Sequence, residues 1–231
     1  MSKGTLSPSV HEAVIQRHMK DDEDDAILQA LLSGVKACRE AATKAHNTSE
    51  VVLLDETQTV AARHKKARNA GFTLLESATR NLDGAVKAAQ GEVEKIAAKL
   101  KGPGQSKDLI VETRQRELRE RLAMLDETRR KQIINEAITA NDDLLVGAVL
   151  SSPAWLSGLS ETEIAVTRSN WAKKHHASDV DRLERLQKAI GDSQHAGERA
   201  LHFVDALTDS ELVKKADASA QRAAQALQAV K

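Results

Sequence analysis

The sequence predicts an all-α protein: a long antiparallel helical hairpin of coiled-coil character, followed by a smaller C-terminal helical module. Three observations predict it. Apolar residues recur every 3.5 residues over about four heptads. No segment alternates β-branched or aromatic residues with polar ones, as a strand would. Aromatic residues make up only 2% of the 231-residue chain, which suits slender bundles better than an enzyme with a deep pocket.

The apolar stripe occupies residues 72–100, and we call it the seam. A helix carrying such a stripe must lie along another helix, so the seam indicates architecture and association and says nothing about chemistry. Thr79 and Ala89 are its small members. The larger members, which we expect to form a helix seam or a self-association surface, are Phe72, Leu75, Leu82, Val86, Val93, Ile96 and Leu100.

Residues 1–47 predict two N-terminal helices. Ser9 is a suitable N-cap for a short helix over residues 10–19. The acidic run 21–25 then opens a second helix that reaches about residue 45, because acidic residues in a first turn complement the helix dipole. The run lacks the alternating ligands and turn glycine of a calcium loop, so a solvated helix start is favoured over an ion site. Residues 47–49 predict a break.

Residues 48–140 predict the hairpin. Its first helix covers about 49–101, which corresponds to roughly 75–80 Å. The stretch 102–106, with Gly102, Pro103 and Gly104, predicts the turn. The return arm begins near residue 107 or 108, runs to about 140 and offers Leu118 and Leu122 to the seam. The alternative is that each helix pairs with its copy in another subunit.

Residues 141–231 predict the C-terminal module. Asn141 or Asp142 caps a short apolar helix that ends at about 150. Two capping-box patterns predict further helix starts at about 161 and 209; they are Ser160 with Glu163 and Thr208 with Glu211. Another helix is expected from about 194 to 207, after Gly191. The last helix is alanine-rich, which predicts fraying or exchange between subunits.

The apolar segment 144–159 has two interpretations. Its leucines, valines and tryptophan are concentrated beside Pro153, and they could form the core that joins the rod to the C-terminal module. They could instead form an exposed anchor for a protein partner, because tryptophan is favoured at binding hot spots. The candidate partner contacts are Leu150, Trp155, Leu156 and Leu159.

No motif predicts catalysis, a cofactor or a metal. His11 and Glu12 begin like a zinc-protease motif, but position 15 is Ile15 where the second histidine is needed. Asp192 and His195 form the sole carboxylate-x-x-His pair, and a di-iron bundle needs two. Cys38 is the sole cysteine, which excludes an intrachain disulfide. We therefore expect a protein that is not an enzyme.

Charge weakens the case for nucleic acid. The formal net charge is zero, with 34 basic and 34 acidic residues, whereas duplex-binding domains usually carry a basic excess. Basic clusters occur at 63–68, 114–121, 129–131 and 173–176, but acidic residues interleave the second and third. The longest apolar run, 144–150, is too short to cross a bilayer. The single cysteine and the polar N-terminus predict a cytoplasmic chain with no membrane partner.

These patterns favour a non-enzymatic structural, assembly or adaptor protein that associates through long amphipathic helices. Its partner would be another protein or a second copy, as a homo-oligomer. Phage and bacterial assembly factors include proteins of this composition. The comparison rests on the general type of protein alone. The alternative is a nucleic-acid-associated regulator that uses its basic helix faces.

Overall fold

The computed structural model describes residues 5–20, 24–104 and 108–229, and within these ranges it contains helices and no strand. The all-α prediction is therefore confirmed. Two short 3-10 turns, Pro8–Val10 and Ala154–Ser157, accompany the α-helices. The α-helices are α1 (Ala13–Gln16), α2 (Ala26–Leu53), α3 (Val60–Lys99), α4 (Leu109–Ala123), α5 (Glu127–Ala140), α6 (Asp143–Leu150), α7 (Glu161–His175), α8 (Ala177–Ala206) and α9 (Ser210–Ala229).

The break predicted at 47–49 is wrong, because α2 continues to Leu53. Ser49 is buried there, and its hydroxyl donates to the carbonyl oxygen of His46 over 2.7 Å, so the helix satisfies it internally. The chain breaks instead at 54–59. Asp55 turns the backbone at that point by accepting hydrogen bonds from the amide and the hydroxyl of Thr57.

The return arm is two helices where the sequence predicted one. It breaks between α4 and α5, and Asp126 caps α5 by accepting from the amide of Arg129 over 2.9 Å. Helix α8 continues through Gly191, where the sequence predicted an interruption. Two predictions lie partly outside the described residues: the acidic run at Asp21, Asp22 and Glu23, and the end of the turn at residues 105–107.

The two predicted capping boxes differ in outcome. At α7 the box is present: the Glu163 amide donates to the Ser160 hydroxyl over 3.3 Å, and the Ser160 amide donates to the Glu163 carboxylate over 2.9 Å. At α9 the cap is Asp209, which accepts from the Leu212 amide over 3.0 Å. The Thr208 hydroxyl is buried and has no hydrogen-bond partner among the described residues.

The chain forms two compact units. The first comprises Met1–Gly91 and Arg185–Lys231, and the second comprises Glu92–Glu184. The division at 47/48 and 140/141 stays a prediction. Residues 185–206 belong to the same unit as residues 26–91, a distant pairing that no local pattern in the sequence shows.

The first unit is built on the close packing of α2, α3 and α8. Leu82 lies between glycines of the other two helices. A Cβ added to Gly34 would lie 2.9 Å from the Leu82 Cδ1 atom, and one added to Gly197 would lie 3.1 Å from its Cδ2 atom. The missing side chains of these glycines let the helices approach. Leu82 thus packs on α2 and α8, whereas the sequence predicted the return arm as its partner.

A charged cluster ties the chain beside α1 to α8 in the first unit. Asp192 accepts from Arg17 over 2.7 Å and lies 2.6 Å from the His18 ring nitrogen Nε2. Burial alone would raise the pKa of Asp192, but the hydrogen bonds from His18 and Arg17 outweigh it and hold that pKa below its ordinary 3.8. The cluster therefore stabilises the fold only while Asp192 is ionised.

Acidification is expected to weaken the first unit through Asp192. Because its pKa is lower in the folded than in the unfolded chain, its stabilisation is complete above 3.8 and is lost as the pH falls through the folded value. Asp192→Asn should lower the free energy of unfolding by about 1 kcal/mol at neutral pH. It should also make that free energy less dependent on pH in the acid range. Urea unfolding across a pH series measures both effects. An unchanged acid limb in the variant would contradict the assignment.

The second unit packs its short helices around α6. Helix α4 contacts α6 and the second 3-10 turn, while α5 contacts α6 and α7. All residues of α6 from Leu145 to Leu150 are buried. The apolar run that was too short to span a bilayer is therefore the central core helix of this unit.

Candidate protein-interaction surface

The seam is covered by the chain itself. Five of its seven large residues are buried, and Phe72 and Val93 are half-buried. The Arg68 guanidinium lies 5.0 Å from the centre of the Phe72 ring, so even this residue is partly covered. The buried seam residues are Leu75, Leu82, Val86, Ile96 and Leu100. Self-association through the seam stays a prediction, and Phe72 and Val93 are the two large seam residues with appreciable exposure to a partner.

The four candidate partner contacts separate into core and surface. Leu150 and Leu159 are buried and Leu156 is half-buried, so these three serve the fold. Trp155 is 73% exposed. Large exposed aromatic side chains on ordered backbone are typical of binding hot spots, which makes Trp155 the candidate anchor.

Arg130 holds the turn that carries Trp155. Its guanidinium donates from Nε to the Leu122 carbonyl over 2.9 Å, from Nη2 to the Leu125 carbonyl over 2.6 Å, and from Nη1 to the Gly158 carbonyl. Leu122 lies in the last turn of α4, Leu125 lies two residues beyond its end, and Gly158 is the C-cap of the 3-10 turn. Arg130 therefore clamps the turn to the C-terminal end of α4.

Met124 lies in the other clamped segment. It is 85% exposed and follows Ala123, whose Cα atom is 3.2 Å from the position that a Gly158 Cβ would occupy. Gly158 has a φ of +67°, in the left-handed region that favours glycine, so both its conformation and its surroundings exclude a side chain. We call Met124 and Trp155 together the Trp155 surface.

A groove between α5 and α7 continues from the same turn. It has a volume of about 230 Å³, and Leu159, next after Gly158, forms part of its floor with Ile134. Val166, which is 55% exposed, lies at its edge. The remaining lining residues are polar: Lys131, Asn135, Thr162, Glu163, Thr167 and Asn170.

The charges at the groove compensate each other. The Lys131 ammonium lies 3.2 Å from a Glu163 carboxylate oxygen. Hydrogen bonds from the amide and hydroxyl of Ser160, and then from Lys131, lower the pKa of Glu163 to about 2. Glu163 is thus ionised at neutral pH and paired, which leaves the groove apolar at its floor and electrically neutral at its rim.

A second cavity of about 590 Å³ in the second unit is lined in part by Trp171, His175 and His176. Each histidine is already engaged: His175 Nε2 lies 2.8 Å from the Ile138 carbonyl oxygen, and His176 Nδ1 lies 3.3 Å from Asp179. The Lys99 ammonium, 2.6 Å from the same carboxylate, lowers the pKa of Asp179. Both histidines and Lys99 are thus engaged in contacts within the chain. No cluster of three metal-ligating side chains occurs in the described part of the chain.

The basic clusters are largely engaged in internal contacts. Lys65 pairs with Asp217 and Arg68 with Asp205, each over 2.5 Å. Arg119 donates to the Ala148 carbonyl over 3.4 Å, and Arg130 clamps three carbonyls. These contacts within the chain compete with any phosphate that would bind the same side chains.

The fold and this surface define an all-α protein with an exposed tryptophan on a turn that Arg130 holds, and a neutral groove between α5 and α7. No family model, no curated protein and no solved structure matches the chain. Among the residues that the structure describes, no helix combines the length and apolar character needed to span a bilayer.

Proposed function

We propose that this chain is a non-enzymatic assembly or adaptor protein that binds a protein partner through the Trp155 surface and the adjoining α5/α7 groove. The observation that carries the proposal is the 73% exposure of Trp155 on a turn that Arg130 clamps. A preorganised apolar side chain loses little conformational entropy on binding, so more of its burial contributes to affinity.

The groove suggests what the partner presents. Its floor of Ile134 and Leu159 accepts a bulky apolar side chain, and its uncharged polar rim suits the backbone or polar side chains around it. An amphipathic helix that places one apolar residue in the groove and another against Trp155 fits both features. The neutral rim disfavours a strongly charged partner.

Self-association through helices is the second part of the proposal. The pairing predicted between the seam and the return arm is retained only for residues 93–100, because these belong to the same unit as α4 and α5. The alanine-rich face of α9 supports contact between copies.

Site-specific photocrosslinking in the cells that make the protein tests partner binding. A photoreactive amino acid replaces Trp155 or Val166, and a matched control replaces Val51, which is 72% exposed and apolar but belongs to the first unit. We expect one discrete protein adduct shared by positions 155 and 166. Trp155→Ser should abolish the adduct formed from position 166, because the anchor is lost.

Three outcomes would contradict the proposal. Equal adducts from positions 51 and 155 would indicate unspecific apolar contact. An adduct at 166 that survives Trp155→Ser would separate the groove from the anchor. Adducts that nuclease treatment removes would favour the nucleic-acid alternative.

A further inference from the structure

Helix α9 leaves half of its length uncovered. Its first part is anchored to the first unit: Val213 is buried, Lys65 pairs with Asp217 over 2.5 Å, and the Asp209 amide donates to His64 over 3.0 Å. From Ala218 to Ala226 every residue is exposed. Most helical stability in proteins comes from tertiary packing, and this half contributes none to the first unit, so its whole surface is open to another partner.

The first unit also contains a groove that could receive such a helix. It lies between α3 and α8 and has a volume of about 440 Å³. Leu82, Val86 and Gly197 line it, and Leu201 remains 41% exposed there. Thr79, Gln194 and the exposed side of Leu201 form the accessible part of this lining, so the groove offers an apolar side chain flanked by polar ones to an occupant.

The charges in this groove have no counterpart among the residues that the structure describes. Asp83 and Glu198 both line it, and among the described residues neither makes a hydrogen bond or an ion pair. The exposed half of α9 carries one charge in the described part of the chain, that of Arg222. The hydrogen bond shown for Arg222 runs from Nε to the Ala218 carbonyl of its own helix over 3.2 Å, which leaves the rest of the guanidinium for a carboxylate.

We propose that the exposed half of α9 from one copy docks in the α3/α8 groove of a second copy, with Arg222 facing Asp83 and Glu198. The inference rests on the self-association proposed above and names its two surfaces. The exchange is reciprocal in this proposal: the same two copies donate and accept a helix, which gives a closed two-fold dimer in place of an open chain of copies.

The same helix cannot fill the groove of its own chain without losing its anchors. Helix α9 is continuous, so turning its second half towards residues 79–86 would carry the first half with it. The buried Val213 and the Lys65–Asp217 pair would then be lost. A second copy supplies the helix while both copies keep these contacts.

Charge reversal with rescue tests the pairing. The full chain, Arg222→Glu, Glu198→Arg and the double variant are compared by light scattering and sedimentation across a concentration series. We expect the native chain to dimerise and each single reversal to raise the dimer dissociation constant at least about tenfold, because like charges then face each other. The double variant should recover affinity, since the pair is restored with opposite polarity.

A matched control separates the pair from net charge. Arg199→Glu changes the charge equally on an exposed residue of α8 that does not line the groove, and it should leave the dimer intact. Circular dichroism verifies folding, which these exposed positions should not disturb. A dimer indifferent to the single reversals, or a double variant without rescue, overturns this inference while self-association stands. A native chain that stays monomeric overturns both.

Discussion

Replacing Leu82 with aspartate is expected to unfold the first unit, at a cost on the order of 4–5 kcal/mol. Leu82 is 3% exposed and is enclosed by α2 and α8 at Gly34 and Gly197. The carboxylate would lose its hydration with no cation beside it in that contact, and the leucine contacts would be lost as well. Urea unfolding followed by far-ultraviolet circular dichroism measures the change.

Leu74→Asp provides the matched control for this substitution. Leu74 lies on the same helix but is 37% exposed, so its carboxylate can remain hydrated and the cost should be about 1 kcal/mol or less. Equal losses in the two variants would mean that a charge anywhere on α3 is the cause. A Leu82→Asp chain as stable as the native one would refute the packing of Leu82 between α2 and α8.

The seam could be predicted from the sequence because its repeat is local. Leu75, Leu82 and Val86 recur at coiled-coil spacing, and the structure buries all three. Their partner could not be predicted, because residues more than a hundred positions later return to cover them. The glycines that make room, Gly34 and Gly197, carry no apolar side chain and so lie outside every hydrophobic pattern.

Helix ends were predictable only where a side chain has one dominant role. Ser160 and Glu163 form a reciprocal box that few other arrangements satisfy, and the box is present. The polar residues at 47–49 favour a break by intrinsic propensity, but tertiary burial of Ser49 within α2 overrides it. At α9, Thr208 and Asp209 are adjacent candidate caps, and the structure uses Asp209.

The candidate surface was only partly predictable for a related reason. Trp155 was identified as either core or anchor, because composition cannot decide between these; the 3-10 turn exposes it. No pattern in the sequence predicted the α5/α7 groove or the exposure of Met124. Arg130 looked like one member of a basic cluster, and its role depends on three carbonyls that come together only in the fold.

Arg130→Ala is expected to destabilise the second unit by about 2–4 kcal/mol. The substitution removes one donor from each of three carbonyl oxygens, those of Leu122, Leu125 and Gly158. The Leu122 carbonyl keeps the Leu125 amide at 3.2 Å, so the loss falls mainly on the carbonyls of Leu125 and Gly158. Urea unfolding followed by tryptophan fluorescence measures the loss, because both tryptophans, Trp155 and the buried Trp171, belong to the second unit. The released turn should also lower partner affinity, because Trp155 would no longer be preorganised.

Two further variants decide whether the loss of stability in Arg130→Ala comes from the lost hydrogen-bond geometry or from the lost positive charge. Arg129→Ala removes an adjacent exposed arginine that contacts the Gln132 side chain, and it should cost about 0.5 kcal/mol or less. Arg130→Lys keeps the cation but cannot span three carbonyls with a planar fork, so it should recover only part of the lost stability. Full recovery by lysine would mean that a positive charge at the end of α4 suffices. Lysine and arginine complement the helix dipole equally. Any stability that Arg130→Lys fails to recover therefore measures the contribution of the arginine hydrogen bonds.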